Sequence, residues 1–243
     1  MQTLRKPFLL YLIFLHLLVV LMLVKSDFLN RIGQRFGFIA PPELPEYYDR
    51  VSTYHTRMDP SIPAGATIFI GDSITQGLAT SAVADKSVNF GIGSDTTLGV
   101  VIRIKQYDSL RRAKALVLAI GINDFLWRDD EAILTNYKTI LASIPETLPV
   151  VLSALLPIDE MTLEADHKNT RVVRVNEMLR AMAADYSNVT FLDIGSLLSG
   201  ADGNLKSEFH VGDGIHLNAA GNEIWIGELR RVLDGVGDMG KVE

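Results

Sequence analysis

The sequence predicts an α/β fold in which helices cover both faces of a doubly wound parallel sheet, preceded by one N-terminal transmembrane helix. Three observations support this prediction. Short apolar runs rich in Val and Ile recur along the chain, helical patterns separate these runs, and residues 8–24 form one long apolar segment. Strands buried on both faces read as such continuous runs, and their alternation with helices is typical of a parallel sheet.

Composition excludes several classes of protein. The chain has 243 residues, of which 48% are apolar and 21% charged, so it is a folded chain and not a disordered one. The net charge is −6, and because nucleic-acid binders usually need a basic face, no nucleic-acid partner is expected. The absence of Cys excludes disulfides, thiolate nucleophiles and Cys-ligated zinc.

The apolar segment 8–24 is preceded by Arg5 and Lys6 and followed by Lys25. At about 1.5 Å per residue a helix of this length reaches roughly 26 Å, close to the thickness of a bilayer core. A buried soluble helix would carry a polar face, and a cleaved signal peptide would end in small residues, whereas Lys-Ser-Asp-Phe follows here. We therefore predict an uncleaved signal anchor over 1–25 that places the rest of the chain on the extracytoplasmic (periplasmic) side.

Residues 26–46 are predicted to form a juxtamembrane linker. Pro41, Pro42 and Pro45 favour extended backbone there and would hold the next domain away from the membrane. Residues 47–243 then remain as a single domain, which is long enough to enclose a complete hydrophobic core.

Within that domain the apolar runs and the helical patterns alternate five times. The predicted strands are Thr67–Ile70, Ser87–Ile92, Leu116–Ile120, Val150–Ala154 and Val189–Leu192. The predicted helices cover about 74–84, 96–108, 129–143, 167–186 and 218–234. Because crossovers between parallel strands are right-handed, this order leads naturally to a doubly wound sheet.

Small, polar and Gly-rich segments follow the predicted strands. They are Gly71-Asp72-Ser73, Gly91-Ile92-Gly93-Ser94-Asp95, Gly121-Ile122-Asn123-Asp124 and, in a late loop, Asp213-Gly214-Ile215-His216. In an open parallel sheet the ligand crevice lies beyond the carboxyl ends of the strands, so these segments should converge at one edge.

Ser73 follows the first strand and precedes a helix, and three interpretations of this position compete. It could cap the helix, since Ser and Asp are both good N-caps. It could belong to a phosphate-binding loop, although the P-loop spacing and its Lys are missing. It could be a nucleophile, if a base lies close enough to activate its hydroxyl.

A histidine could supply that base. His55 and His167 lie in polar surroundings, where exposure to solvent is the default. His210 and His216 flank Asp213, each three residues away, so this carboxylate could orient either imidazole. His216 is favoured because it directly precedes the last predicted helix, which places it against the sheet edge.

Asn123 follows the third strand. An Asn at a buried strand end commonly makes structural hydrogen bonds. Its side-chain N–H could instead stabilise an oxyanion, together with the backbone N–H groups of Ser73 and of the Gly93-Ser94 segment. The sequence leaves both interpretations open.

Taken together and in this order, the four segments resemble the SGNH (GDSL-type) hydrolase family, over roughly residues 65–234. The stretches Asn89-Phe90-Gly91-Ile92-Gly93 and Leu155-Leu156-Pro157 are most similar to the branch of the platelet-activating-factor acetylhydrolase catalytic subunits. The resemblance implies a three-layer, flavodoxin-like fold and the absence of any metal or cofactor. It also implies Ser73 as nucleophile, His216 as base, Asp213 as its orienter and Asn123 as oxyanion donor.

The second segment departs from the family pattern. The family places a Gly immediately before the Asp, where this chain has Ser94, with Gly93 just upstream in the supporting loop. A backbone N–H is all that the chemistry needs, so Ser94 can serve as an oxyanion donor. If the position requires a positive φ, however, a residue with a Cβ costs free energy there.

The sequence therefore predicts a membrane-anchored serine esterase, or a lysophospholipase-like enzyme, that hydrolyses O-acyl esters of a lipid or glycan. Short-chain or acetyl esters are expected as substrates. Two alternatives use the same fold: an O-acyltransferase with the same residues, and a non-catalytic binding module tethered by residues 8–24.

Overall fold

The computed structural model describes residues 5–25, 32–33, 38, 42–163 and 168–239. By their contacts the residues form two compact units, Met1–Glu43 and Leu44–Glu243. The predicted linker 26–46 and His167 fall largely or wholly outside the described residues.

The first unit contains α1, Arg5–Lys25. Among the described residues it is the one helix that is long and apolar enough to cross a bilayer, over Lys6–Leu23, and no part of that stretch is buried. A signal sequence near the N-terminus would have the same length and apolar composition. An N-terminal apolar helix is thus present where the sequence predicts one.

The second unit is built on a five-stranded sheet in which every strand pair is parallel. The strands are β1 (Thr67–Gly71), β2 (Ser87–Gly91), β3 (Ala115–Ala119), β4 (Val150–Ser153) and β5 (Val189–Leu192). Their spatial order is β2-β1-β3-β4-β5, the flavodoxin-like order. All five predicted strands are confirmed to within one or two residues at their ends.

The helices of this unit flank the sheet. They are α2 (Glu46–Met58), α3 (Ser73–Gln76), α4 (Thr97–Arg103), α5 (Asp130–Leu141), α6 (Asn169–Ala183), α7 (Gly195–Leu198) and α8 (Ala219–Met239). The predicted α/β fold with a doubly wound sheet is confirmed.

The helix predicted over 74–84 is wrong in length, because α3 ends at Gln76 and a short 3₁₀ turn follows at Thr80–Ala82. The cause is Asn89 on β2. Its side-chain amide donates to the carbonyl oxygens of Thr75 at 2.7 Å and of Leu78 at 3.0 Å, so these carbonyls are satisfied by a neighbouring strand and not by a continuing helix.

Helix α2 was not predicted from the sequence. Its buried stripe is Tyr48, Ser52 and His55, whose polar character hides the helical period. His55, expected at the surface, is instead buried against the Phe90 ring, with the ring centroids 4.6 Å apart. Burial lowers the pKa of His55 to about 4, and the Arg103 charge adds to the effect.

Two apolar cores lie on opposite faces of the sheet. On one face Ile68, Ile70, Leu116 and Leu118 pack against side chains of α4, α5 and α6. On the other face Phe69, Val117 and Val151 pack against Leu198, Trp225 and Leu229 of α7 and α8. Successive residues of a strand point to opposite faces, which explains why these strands are apolar throughout.

This topology fixes where a site can form. The chain runs from β1 outward to β2 and then returns across β1 to β3, so the crossovers diverge on either side of β1. A crevice opens at the carboxyl ends of strands where the winding direction reverses. The segments that follow β1, β2 and β3 meet at that edge.

Candidate active site

Ser73 is the first residue of α3 and directly follows the turn at the end of β1. The N-cap of this helix is Asp72, whose Oδ1 accepts the backbone N–H of Ile74 at 2.9 Å. The capping interpretation of Ser73 is therefore wrong, because its neighbour performs that role and the Ser73 hydroxyl makes a different contact.

That contact is with His216. The Nε2 of His216 lies 2.7 Å from the Oγ of Ser73, although the two residues are 143 positions apart. On the other side of the ring, Nδ1 lies 2.6 Å from Oδ2 of Asp213. The structure thus brings three sequence-predicted residues into one line of hydrogen bonds at the sheet edge.

The Asp213 carboxylate is held on both of its oxygens. While Oδ2 faces the imidazole, Oδ1 accepts the backbone N–H groups of Ile215 at 3.0 Å and His216 at 2.9 Å. Partial burial acts to raise the pKa of this carboxyl, but the hydrogen bonds from His216 and Ile215 outweigh it and hold the pKa below its usual value. The Asp213 carboxyl is accordingly an anion, and it can accept a hydrogen bond from the Nδ1–H of His216.

His210, the other imidazole considered for Asp213, faces away from it. Its Nδ1 accepts the backbone N–H groups of Gly212 at 3.0 Å and Gly214 at 3.1 Å. Of the two histidines that flank Asp213, only His216 contacts both the carboxylate and Ser73.

Ser94 lies in the loop after β2, and its φ is 62°, the one positive φ among the described non-glycine residues. The backbone there takes the left-handed conformation in which a Cβ is disfavoured. Gly93 precedes it, and its N–H donates to Oε1 of Gln76 at 2.9 Å. Ser94, which stands where the family pattern has Gly, therefore lies at a strained backbone position.

Asn123 begins a short 3₁₀ turn after β3 and reaches across to the same loop. Its Nδ2 donates to the backbone carbonyl of Asp95 at 2.9 Å, which leaves its second N–H for another acceptor. Across the part of the chain that the structure describes, the backbone N–H groups of Ser73 and Ser94 have no protein acceptor. Each of the three segments that follow β1, β2 and β3 thus carries one uncommitted N–H donor.

A buried ion pair that sequence reasoning missed supports this loop. Arg103 and Asp95 have fully buried side chains, with Nε of Arg103 at 2.8 Å from Oδ2 of Asp95. Arg103 also donates to the carbonyl oxygens of Phe90 at 2.7 Å and Gly71 at 3.1 Å. One guanidinium therefore joins the ends of β1 and β2 to the loop that carries Ser94. A lone Arg within an apolar helical stretch is the only signal that could have revealed it.

A second buried carboxylate, Asp124, ties the turn after β3 to the start of α4. It accepts the backbone N–H of Thr97 at 2.9 Å and pairs with the Arg128 side chain. The turn that carries Asn123 and the helix that follows Ser94 are thus fastened to each other.

Asp72 is also buried, and no cationic group among the described residues lies within hydrogen-bond distance of its carboxyl. Burial raises the pKa of this carboxyl to about 7, against the opposing effect of its bond to the Ile74 N–H. The charges of Asp95 and Asp124 raise it further. The residue before Ser73 is therefore poised to change its protonation state near neutral pH.

The sequence pattern of the GDSL-like Lipase/Acylhydrolase family matches residues 69–224, which span β1 to α8 and include every residue of this site. The chain belongs to this family. A GDSL-like acylhydrolase is a carboxylic ester hydrolase.

Curated relatives agree with this assignment. The platelet-activating factor acetylhydrolase IB subunit alpha1 of Bos taurus is 30% identical over 164 residues, covering 63% of this chain and 68% of that protein. The alpha2 subunit of Homo sapiens is 26% identical over 185 residues, covering 71% and 79%.

Solved structures share the fold. A structure from Streptococcus pneumoniae superposes with a TM-score of 0.72 at 23% identity, covering 78% of this chain and 94% of that one. A GDSL-like lipase from Bacteroides thetaiotaomicron gives a TM-score of 0.65 at 14% identity, covering 78% and 99%. The α/β architecture of this acylhydrolase is thus that of its family.

Proposed function

We propose that this GDSL-like acylhydrolase cleaves its ester with Ser73 as nucleophile, His216 as general base and Asp213 as the group that orients the imidazole. The observation that carries the proposal is the 2.7 Å contact between Ser73 Oγ and His216 Nε2, continued by the 2.6 Å contact between His216 Nδ1 and Asp213 Oδ2. Because the Asp213 carboxylate accepts a hydrogen bond from Nδ1–H, the proton of the neutral imidazole lies on Nδ1, and Nε2 presents its lone pair to the Ser73 hydroxyl.

The reaction begins when Ser73 Oγ attacks the ester carbonyl carbon and its proton passes to His216 Nε2. The carbonyl oxygen becomes an oxyanion, which accepts hydrogen bonds from the N–H groups of Ser73 and Ser94 and from Nδ2 of Asn123. Each such donor contributes on the order of 3 kcal/mol in the transition state. The uncommitted state of these three donors supports this assignment.

Collapse of the tetrahedral intermediate breaks the bond to the alcohol oxygen, which leaves with the proton held by His216. Water then enters, gives a proton to Nε2 and attacks the acyl-Ser73 carbonyl; a second collapse releases the acid and returns the proton to Ser73. The His216 and Asp213 side chains are 40% and 42% exposed, so water can reach this position.

The proposed substrates are short-chain O-acyl esters, acetyl esters above all, carried by a lipid or a glycan. The curated relatives named above are acetylhydrolases by name, which supports a small acyl group. Leu126 and Trp127, in the turn that begins with Asn123, are 64% and 38% exposed, and they offer an apolar surface for the rest of the substrate.

The proposal includes attachment to a membrane through residues 8–24, with the hydrolase domain on the extracytoplasmic side. The length and apolar character of α1 and its basic flanks support an anchor. Carbonate washing of membranes from cells that express the full chain tests this point. An anchored chain stays in the pellet, and a version without residues 1–25 is released; a full chain found in the soluble fraction would contradict anchoring.

The catalytic roles are tested with the detergent-solubilised full chain, a fluorophosphonate probe and p-nitrophenyl acetate. Ser73→Ala should abolish labelling and lower kcat by at least about 10⁴-fold. Ser81→Ala is the matched control, because Ser81 lies near Thr67 at the opposite end of β1. Labelling that persists in Ser73→Ala would exclude Ser73 as the nucleophile.

The same enzyme and substrate distinguish hydrolysis from acyl transfer. With a sugar alcohol present, an acylated sugar in excess of free acid would indicate acyl transfer in place of hydrolysis.

A further inference from the structure

The imidazole of His210 is buried inside the turn that carries Asp213, with 3% of its side chain exposed. Its Nδ1 accepts two backbone N–H groups, from Gly212 at 3.0 Å and from Gly214 at 3.1 Å. Asp213 lies between these two glycines. The ring therefore binds the backbone on both sides of the residue that contacts His216.

Two acceptors hold the backbone of this turn: Asp213 Oδ1 binds the N–H groups that follow it, at Ile215 and His216, and His210 Nδ1 binds the N–H groups of the flanking glycines. Gly212 and Gly214 have φ values of 102° and 77°, a region that favours glycine. Two backbone contacts between residues further apart in the sequence close the loop. The Val211 N–H donates to the His216 carbonyl at 2.9 Å, and His210 and Leu217 form an isolated antiparallel β-bridge. Inside this closed loop the two glycine N–H groups converge on one acceptor, which leaves the Asp213 side chain on the outer surface, towards His216.

The contacts also fix the tautomer of His210. A nitrogen that accepts two N–H groups carries no proton, so the proton of the neutral ring is on Nε2. Within the described residues Nε2 has no hydrogen-bond partner; it lies 3.5 Å from Oδ2 of Asp159, beyond hydrogen-bond distance. The Asp159 backbone in turn donates to the Gly214 carbonyl at 2.8 Å. His210 thus fills the space between the Asp213 turn and the loop after β4.

We infer that His210 is a positioning residue for ester hydrolysis: by accepting the Gly212 and Gly214 N–H groups it holds Asp213 where its carboxylate meets His216. This inference rests on the proposed function of Ser73, His216 and Asp213. His210 touches neither the substrate nor the reacting atoms, so it acts only through Asp213.

The experiment compares two substitutions in the full chain. His210→Leu keeps the branch at Cγ but removes the acceptor, whereas His210→Asn places a polar atom near the position of Nδ1. With p-nitrophenyl acetate, we expect His210→Leu to lower kcat by about 30-fold or more and to change KM less than about threefold, since only the orientation of Asp213 is lost. His210→Asn should restore kcat to within about fivefold of the wild type.

A double-variant cycle separates positioning from a general loss of structure. In an Asp213→Asn background His210→Leu should have little further effect on kcat, because the group through which it acts is already disabled. An equal fold-loss in both backgrounds, a wild-type kcat for His210→Leu, or equal losses for the Leu and Asn variants would each overturn the inference. If His210→Leu fails to fold, His210→Gln, whose amide lies one bond further out, takes its place with the same expected loss.

Failure of the inference and failure of the proposed function give different results. If Ser73→Ala abolishes activity and His210→Leu does not lower it, only the role of His210 is wrong. If Ser73→Ala remains active, the proposed function itself is wrong, whatever the His210 variants do.

Discussion

His216 contacts Asp213 twice: its Nδ1 lies 2.6 Å from one carboxylate oxygen, and its backbone N–H donates to the other at 2.9 Å. The side chain and the backbone of the same residue are therefore positioned by one carboxylate. Because the ring and its own backbone are both fixed, the imidazole can rotate little about its side-chain bonds. This double contact is possible because His216 is three positions after Asp213 in the sequence.

The first prediction concerns that carboxylate. Asp213→Asn keeps an acceptor for the backbone N–H but turns an N–H towards Nδ1, which favours the wrong imidazole tautomer. We expect kcat for p-nitrophenyl acetate to fall by about 10²- to 10⁴-fold with little change in KM. Asp185→Asn, on an exposed residue shortly before β5 and at the opposite edge of the sheet, is the control. Similar kcat values for Asp213→Asn and the wild type would exclude Asp213 as the orienting group.

The second prediction concerns the positive φ of Ser94. Ser94→Gly relieves the left-handed strain and retains the backbone N–H, so it should raise the free energy of unfolding by about 0.5–1 kcal/mol and keep kcat. Ser94→Pro fixes φ near −65° and removes the N–H, so kcat should fall by about 10²- to 10³-fold. Urea unfolding and steady-state kinetics measure the two effects. An active Pro variant would show that this N–H does not bind the oxyanion.

The third prediction follows from the raised pKa of Asp72, about 7 in the folded chain against 3.8 as the ordinary value. Between pH 4 and 7 the unfolded chain releases this proton and the folded chain retains it, so the contribution of Asp72 to the free energy of unfolding falls as pH rises. Asp72→Asn keeps an oxygen for the Ile74 N–H but cannot ionise. Its stability relative to wild type should therefore increase from pH 4 to 7, by at most about 4 kcal/mol.

Urea unfolding of the detergent-solubilised chain at several pH values between 4 and 8 measures this difference. Titrating groups that do not interact with Asp72 are the same in both proteins and cancel in the comparison. Parallel stability profiles for Asp72→Asn and wild type would show that Asp72 ionises at its ordinary pKa.

The fourth prediction concerns the buried pair of Arg103 and Asp95. Arg103→Met leaves the Asp95 carboxyl buried without its cation and also leaves the carbonyl oxygens of Phe90 and Gly71 without this donor. Removal of one partner of a buried pair costs about 3–5 kcal/mol, which urea unfolding detects directly. Arg111→Met is the matched control, because Arg111 and Asp108 form a pair whose side chains are 82% and 83% exposed; its stability should match the wild type. Equal effects of the two substitutions would mean that the Arg103 pair adds no stability.

Much of the fold could be predicted because it depends on local pattern. The inner strands β1, β3 and β4 are buried along almost their whole length and are visible as continuous apolar runs. The edge strands β2 and β5 are partly exposed, and their shorter apolar patterns include Asn89 and Thr190. Helix α2 lacked such a signal, since two of its three buried residues, Ser52 and His55, are polar types. The length of α3 was missed because Asn89, on another strand, binds the carbonyls that would have continued the helix.

The sequence by itself determined the α/β class, the order of the elements and the identity of the polar residues at the carboxyl edge of the sheet, because strand periodicity and the rule for parallel sheets need only local information. Only the tertiary structure decided that Asp72 caps α3, that His216 and not His210 meets Ser73, and that Ser94 is held at a positive φ. These outcomes depend on contacts between segments as far as 143 residues apart. Such contacts depend on how the two apolar cores pack and on which groups the buried Arg103 side chain contacts. Local sequence patterns carry no information about either.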